Sequence, residues 1–192
     1  MKKYFLFLIF ISCVVSAQEG GVKGLFLSTG VGPRAPLGSF ADKSNPGGGF
    51  DVSLSYTDDT LMPLFINVSV GYVHFPGSQD YYAASDHSSF SSNLITASFG
   101  VRCYLSPMMN DIFLLMPVIE GSLVYGRFGD FHQFKPETLK GDVNEKYSKI
   151  GFQAGAGISM FLFDLMAHYN YLPEHNYLSL DLRVRIPVFA SM

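Results

Sequence analysis

The chain has no tryptophan and only two cysteines among its 192 residues. One of them, Cys13, lies in an apolar leader, which leaves Cys103 as the single thiol of the remainder. A lone thiol closes no internal disulfide and cannot supply a cysteine zinc cluster. Charge is sparse as well. Asp, Glu, Lys and Arg make up 15% of the residues, against about a quarter in ordinary soluble domains. Thirteen basic side chains, two of them in the leader, face sixteen acidic ones and gather in no stripe, which excludes a nucleic-acid surface. Past the leader there is no run of about 20 apolar residues, so no helix there is apolar enough to span a bilayer. An apolar content of 48% excludes a disordered chain.

The leader has its own logic. Lys2 and Lys3 form a positive start, Tyr4 to Val15 an apolar core, and Val15-Ser16-Ala17 a small-residue cleavage site. Residues 1–17 are therefore expected to be a signal peptide, with 18–192 as one mature domain. A cut before Cys13, after Phe10-Ile11-Ser12, is the lipoprotein alternative.

Most of the mature chain alternates with period 2, the mark of strands. Leu178, Leu180, Leu182, Val184, Ile186 and Val188 share one face; Tyr177, Ser179, Asp181, Arg183 and Arg185 share the other. The same rhythm recurs in segments near 22–32, 49–57, 64–72, 92–104, 112–126, 149–162 and 164–172, which makes eight strands. Most reach the nine to eleven residues that a tilted strand needs to cross a bilayer. The connections at 33–48, 75–91 and 127–147 are long, and those between them are short.

Alternation does not say which face is outside. The polar face is mostly Gly, Ser, Asn and Thr, which suits the narrow, side-chain-filled interior of an eight-stranded barrel better than a soluble surface. The apolar face carries several large aliphatics per strand, too many to pack inward. Tyr56, Tyr72, Tyr125, Tyr169 and Tyr171 sit near strand ends on that face, as an aromatic girdle expects. The fold expected is all-β: an eight-stranded antiparallel up-and-down transmembrane β-barrel.

The leader ending Val-Ser-Ala-Gln, the Gly-x-Gly pattern of Lys149 to Leu162 and the closing strand Asn176 to Phe189 carry a family resemblance. Over about 20–189 the chain resembles the small outer-membrane β-barrels of the OmpA-barrel and OmpX sort. Phe189 stands three residues short of the end, where that family usually ends on its aromatic. The resemblance implies a Gram-negative outer-membrane location with both mature termini periplasmic. Its implied partners are membrane lipid, lipopolysaccharide and, through the strand ending at Phe189, the barrel assembly machinery. It implies no activity.

Candidate sites are set by the facing. Asp51, Arg102, Glu120, Lys149, His168, Asp181, Arg183 and Arg185 are expected inside, where charges of both signs pair. Glu120 is expected to pair with Arg102 or Arg183. Tyr81, Tyr82, Phe128, Phe131 and Phe134 are aromatics in the long connections and the candidates for binding a partner. Asp86-His87-Ser88-Ser89 holds the residue types of a hydrolytic triad, but adjacent loop residues rarely form one. Glu137, Asp142 and Glu145 match no calcium-loop spacing, and no cofactor motif or catalytic set emerges. The role expected is structural or surface-interacting, in a monomer without an open pore. Two alternatives stay open: a lipid A-modifying enzyme, and a soluble periplasmic barrel around an apolar ligand.

Overall fold

The computed structural model describes residues 23–84, 87–110, 113–135 and 143–191. The leader with its two cleavage alternatives, Asp86, Glu137 and Asp142 lie outside the described residues.

The alternating segments become the strands β1 (Lys23–Pro36), β2 (Gly47–Asp58), β3 (Leu64–Pro76), β4 (His87–Tyr104), β6 (Phe113–Phe134), β7 (Val143–Met160), β8 (Phe163–Tyr171) and β9 (Tyr177–Ser191). A short strand β5 (Met108–Asn110) folds back on the start of β6. Each of the eight long strands pairs antiparallel with its chain neighbours, β4 with β6, and β9 closes the ring on β1. The result is an eight-stranded up-and-down barrel with no free long edge. Both ends of the described chain, Lys23 and Ser191, meet at one rim, where they are register partners. That rim also holds the connections after β2, β4 and β7. At the first of these, the Asp58 carboxylate accepts from the Thr60 and Leu61 amides at 3.0 Å each, a side-chain-closed turn. We call it the turn rim and the opposite one the mouth.

Register puts the large apolar side chains on the outside. One outward row runs Thr29, Val52, Val70, Ala97, Tyr125 and Ile150 across six successive strands. Leu123 is 67% exposed, Ile150 72% and Leu180 46%. Inside, Arg102, Met166, His168, Asp164 and Asp181 are buried. This distribution overturns the alternative of a soluble barrel with its apolar side chains inward.

Three expectations about the connections need correction. Strands reach into all three segments and make up most of 127–147: β1 runs to Pro36, β3 to Pro76, β4 starts at His87, β6 runs to Phe134 and β7 starts at Val143. A 3-10 turn (Gly38–Phe40) and a short helix α1 (Gln79–Ala84) occupy part of the remainder. The reason is an inversion of hydrophobic phase. Below the mouth the apolar residues of β3, β4 and β6 face out, as Tyr72, Ile95 and Tyr125 do. Nearer the mouth buried apolar residues face in: Val73 and then Phe75 on β3, Leu94 and then Phe90 on β4, and Phe128 on β6. The strands continue while the pattern that marks them changes sides.

These inward apolar residues build a cap. Phe40, Val73, Phe75, Leu94, Val124, Phe128, Leu172 and Tyr177 form one buried cluster with Tyr147 packed against it. Phe40, brought in by the 3-10 turn, meets Phe75 edge-on at 4.8 Å between ring centroids. Phe75 meets Tyr177 the same way at 5.5 Å. Phe128 stacks on Tyr147 at 5.2 Å. Rings in these offset and edge-on arrangements are mutually attractive beyond the area they bury.

Candidate functional site

The lumen below the cap is held by a column of ion pairs. At its mouth end Arg34 reaches Asp181 at 2.7 Å, with Asp51 at 4.0 Å. Arg183 lies between Asp51 at 3.5 Å and Glu120 at 3.2 Å. Arg102 grips one oxygen of Glu120 through Nη2 at 2.8 Å and Nε at 3.0 Å. It faces Asp164 at 3.6 Å on its other side. Arg185 closes the column on Asp164 near the turn rim, with its guanidinium 4.8 Å from the Tyr104 ring. His168 sits between Asp181 at 3.3 Å and Glu120 at 3.8 Å. The second Glu120 oxygen accepts from Asn67 at 3.3 Å, and Asn67 accepts from Ser55 at 2.9 Å. Four arginines thus meet four carboxylates, so the column needs no counter-ion from outside.

Register explains how these side chains meet. Gly30 lies between Asp51 and Arg183 in one row, and Gly155 lies between Glu120 and His168 in another. A Cβ on Gly30 would stand 2.7 Å from the Arg183 stem and 2.9 Å from an Asp51 oxygen; one on Gly155 would stand 2.2 Å from the His168 ring. The missing side chain on the middle strand is the space through which the flanking charged groups reach one another. Beside the column an interior void of about 30 Å³, bordered by Ser69, Thr96, Ser98 and Asn170, has room for about one or two waters.

Of the interior residues expected from sequence, Asp51, Arg102, Glu120, His168, Asp181 and Arg183 come together in this column. Arg185 joins it at the turn rim, half-buried. Lys149 does not join: it stands at the mouth, because its row is level with the cap rather than with the column. Arg34 and Asp164, both buried and both paired, were missed. Their signal was parity. Arg34 shares the face of Gly30 and Gly32, and Asp164 shares that of His168.

The binding aromatics also need correction. Phe128 is 1% exposed and belongs to the cap. The Tyr82 hydroxyl donates to the Phe90 carbonyl at 2.8 Å and accepts from the Phe90 amide at 2.9 Å, which staples α1 to β4. Tyr81 packs edge-on against Phe90 and Tyr82. Phe131 and Phe134 are half-buried near the end of β6. Of the Asp86-His87-Ser88 run, Asp86 and the His87 side chain lie outside the described residues.

The girdle tyrosines all face outward. At the mouth side the Tyr72 hydroxyl donates to Asn93 at 2.7 Å, and the Tyr125 hydroxyl lies 2.8 Å from that of Ser148. Tyr169 and Tyr171 end β8 at the same rim. Tyr56 stands at the other rim, donating to Asp58 at 3.3 Å.

Above the cap is a vestibule of about 410 Å³ walled in part by Phe40, Phe90, Asp130, Tyr147, Lys149 and His175. A one-directional hydrogen-bond chain crosses it. The Lys149 ammonium can only donate, so His175 Nδ1 accepts from it at 3.0 Å. The ring proton is then on Nε2, 2.8 Å from the Tyr147 hydroxyl, which donates to Asp130 at 2.6 Å. Ser92 donates to the other Asp130 oxygen at 2.6 Å. Burial and the positive charge of Lys149 hold His175 below its ordinary value. The hydrogen bond from Lys149 at 3.0 Å likewise holds the exposed Glu174 carboxyl below the usual range.

This geometry generates two predictions. Replacing Glu120 by Gln leaves Arg102 and Arg183 without their shared carboxylate, and loss of one partner of a buried pair removes about 3–5 kcal/mol. A double-mutant cycle of Glu120→Gln with Arg102→Met should show coupling of at least about 1 kcal/mol in unfolding from lipid vesicles; zero coupling would mean the contact contributes nothing. The second concerns pH. Unfolded His175 takes up its proton near pH 6.5, whereas the folded residue resists until lower pH. Its contribution is therefore full above about pH 6.5 and is lost as pH falls through the depressed value. Glu174 acts in the same direction, but only below its ordinary 4.5. Hydrogen exchange in the 172–176 turn, corrected for its intrinsic rate, should be faster at pH 5 than at pH 7.5. His175→Asn should remove that excess, and an unchanged excess would clear His175 of the role.

No protein-family model matches the chain, and no curated protein sequence matches it. Solved structures do. The chain is similar to Neisserial surface protein A (NspA), with 15% identity over 87% of this chain and 99% of that one and a TM-score of 0.48. It is similar to Ail, the attachment invasion locus protein of Yersinia pestis, crystallised with the heparin analogue sucrose octasulfate. That match has 14% identity over 88% of this chain and 100% of the other, with a TM-score of 0.46. A major outer membrane protein from Thermus thermophilus matches with 12% identity over 85% of this chain and 99% of the other, with a TM-score of 0.47.

Proposed function

We propose that the chain is an integral barrel of a Gram-negative outer membrane, with a structural or surface-interaction role and a lumen that passes no bulk flow. The observation that carries this reading is the inverted distribution of polarity: aliphatic side chains outside and an ion-pair column inside. In hydrocarbon every backbone polar group must be paired within the protein, which a closed ring achieves. The leader at 1–17 supports export. The mouth, with the connections after β1, β3, β6 and β8, then faces outward, and both mature termini face the periplasm. Strand β9, with Phe189 near its end, is the segment offered to the assembly machinery. A closed ring has no edge that needs a second copy, so the barrel works as a monomer. The reading gives it no catalytic step.

Membrane-fraction protein should migrate differently on denaturing gels before and after boiling. Leu180→Arg, placed on the outward face of β9, should lower stability in vesicles by about 2–4 kcal/mol if it lies at mid-bilayer. Recovery of the protein in the soluble periplasmic fraction, without a heat shift, would sink the reading. The closed lumen is tested separately. The barrel in a planar bilayer should give no steady open channel, since the ion-pair column and the cap both stand in the lumen; sustained conductance would overturn the closed lumen.

A further inference from the structure

A second concavity lies outside the barrel wall, at the mouth edge of the apolar belt. It is a groove of about 240 Å³ lined by Tyr72, Asn93, Ile95, Arg127, Phe128, Gly129 and Lys146. Four adjacent strands build it. Tyr72 of β3 is the register partner of Ile95 on β4, Ile95 of Arg127 on β6, and Gly129 of both Asn93 and Lys146. Gly129 is its floor. A Cβ there would have the Asn93 carbonyl, at 4.0 Å, as its nearest neighbour. The glycine is therefore not forced by packing, and the space above it is open.

The chemistry of the groove is one-sided. Arg127 and Lys146 are exposed, and among the described residues neither has an ion-pair or hydrogen-bond partner for its side chain. That contrasts with the lumen, where every arginine meets a carboxylate. The Asn93 side-chain oxygen is already used, accepting from Tyr72 at 2.7 Å and lying 2.9 Å from His74 Nδ1. Its amide nitrogen is left to donate outward. The groove thus offers three free donor groups, two of them charged, and no carboxylate; the Tyr72 hydroxyl, its proton given to Asn93, keeps only a neutral acceptor oxygen. The acids nearest in sequence, Asp130 and Glu145, line the vestibule on the other face of the wall. Below the groove Ile95 and Phe99 continue the exposed apolar face, at 58% each.

We propose that this groove binds the phosphate-bearing headgroup of an outer-leaflet glycolipid, with its acyl chains lying along Ile95 and Phe99. The proposal rests on the membrane reading above. Arg127 and Lys146 take the phosphate as charge-assisted donors. Gly129 admits the group close to the wall. Asn93 and the neutral hydroxyls of Tyr72 and Ser148 stand where sugar hydroxyls meet the rim. The height is the one at which a headgroup sits, since Tyr72 and Tyr125 mark the boundary of the belt. A basic pair at a membrane surface strengthens binding to anionic lipid by several-fold per charge.

The test uses the full mature barrel in detergent, with bound lipid counted by native mass spectrometry. The probes are bisphosphorylated lipid A, its fully dephosphorylated form and phosphatidylglycerol. Wild-type protein should hold bisphosphorylated lipid A roughly ten- to thirty-fold more tightly than the double variant Arg127→Ala/Lys146→Ala. Gly129→Val, which keeps both charges and fills only open space, should weaken binding to a similar degree. Dephosphorylated lipid A should bind wild type no better than the double variant binds the phosphorylated form. Equal binding by wild type and both variants overturns the site. Phosphatidylglycerol binding as tightly as lipid A, with the same dependence on the variants, overturns the glycolipid assignment. The same samples are run boiled and unboiled. Wild type without a heat shift overturns the membrane reading and the site with it, whereas heat-shifting protein whose lipid binding ignores the variants overturns the site alone.

Discussion

The ladder between β1 and β9 is the contact on which the rest of the molecule depends. It joins the first and last strands and turns an open meander into a ring, pairing Leu27 with Ile186 and Val31 with Leu182. Until it forms, two strands expose unpaired amides and carbonyls, which hydrocarbon does not tolerate. Once it forms, the backbone is satisfied internally and the outer face is free to be aliphatic. Closure also encloses a lumen too narrow to hydrate well, so whatever the inner face carries must be satisfied there.

The lumen meets that demand by combining long charged side chains with glycines on the strands between them. Arg183 reaches Asp51 over Gly30, and His168 approaches Glu120 over Gly155. A row of medium-sized residues would fill the same volume but would hold the strands apart from nothing in particular. The charged rows tie together strands that are not hydrogen-bonded to each other, as β4 is tied to β8 through Arg102 and Asp164. Buried ion pairs contribute little net stability compared with apolar packing of equal volume. What they supply here is uniqueness of register. A slip of one residue turns each charge from lumen to lipid, a far larger penalty than misplacing a valine.

Much of this was legible in the sequence because period 2 and a low-polarity environment leave strong traces. The facing of Leu178 through Val188, the inward placement of Glu120 with Arg102 and Arg183, and the outward tyrosines all follow from parity. What was not legible lies at the mouth. There the apolar residues cross to the inner face, so Phe128 reads as a loop aromatic although it is a cap residue on a continuous strand. Lys149 read as a lumen charge because parity fixes the side of the wall and not the height along it. Height is set by stagger between strands, which depends on pairings such as Gly126 with Lys149 that no single segment encodes. Arg34 lies past the segment near 22–32 that alternation marks, on the part of β1 where pairing continues to Pro36 without outward aliphatics.

Parity and height together give a rule for the charges of this barrel. Inside the wall a charged side chain finds its partner on another strand of the same chain, because the ring brings all eight inner faces within reach. Outside the wall at the belt edge, neighbours on adjacent strands point the same way, and only a residue placed beside it can neutralise a charge. Arg127 and Lys146 are diagonal neighbours about Gly129, which is the register partner of Lys146 and stands two residues after Arg127, with no acid on the outward face around them among the described residues. Their mutual repulsion is weak where water is present and grows as the surrounding dielectric falls toward the belt. On the proposed reading, a chain that balances four arginines against four carboxylates within its lumen leaves two unpaired cations at the belt edge for negative charge in the membrane to match.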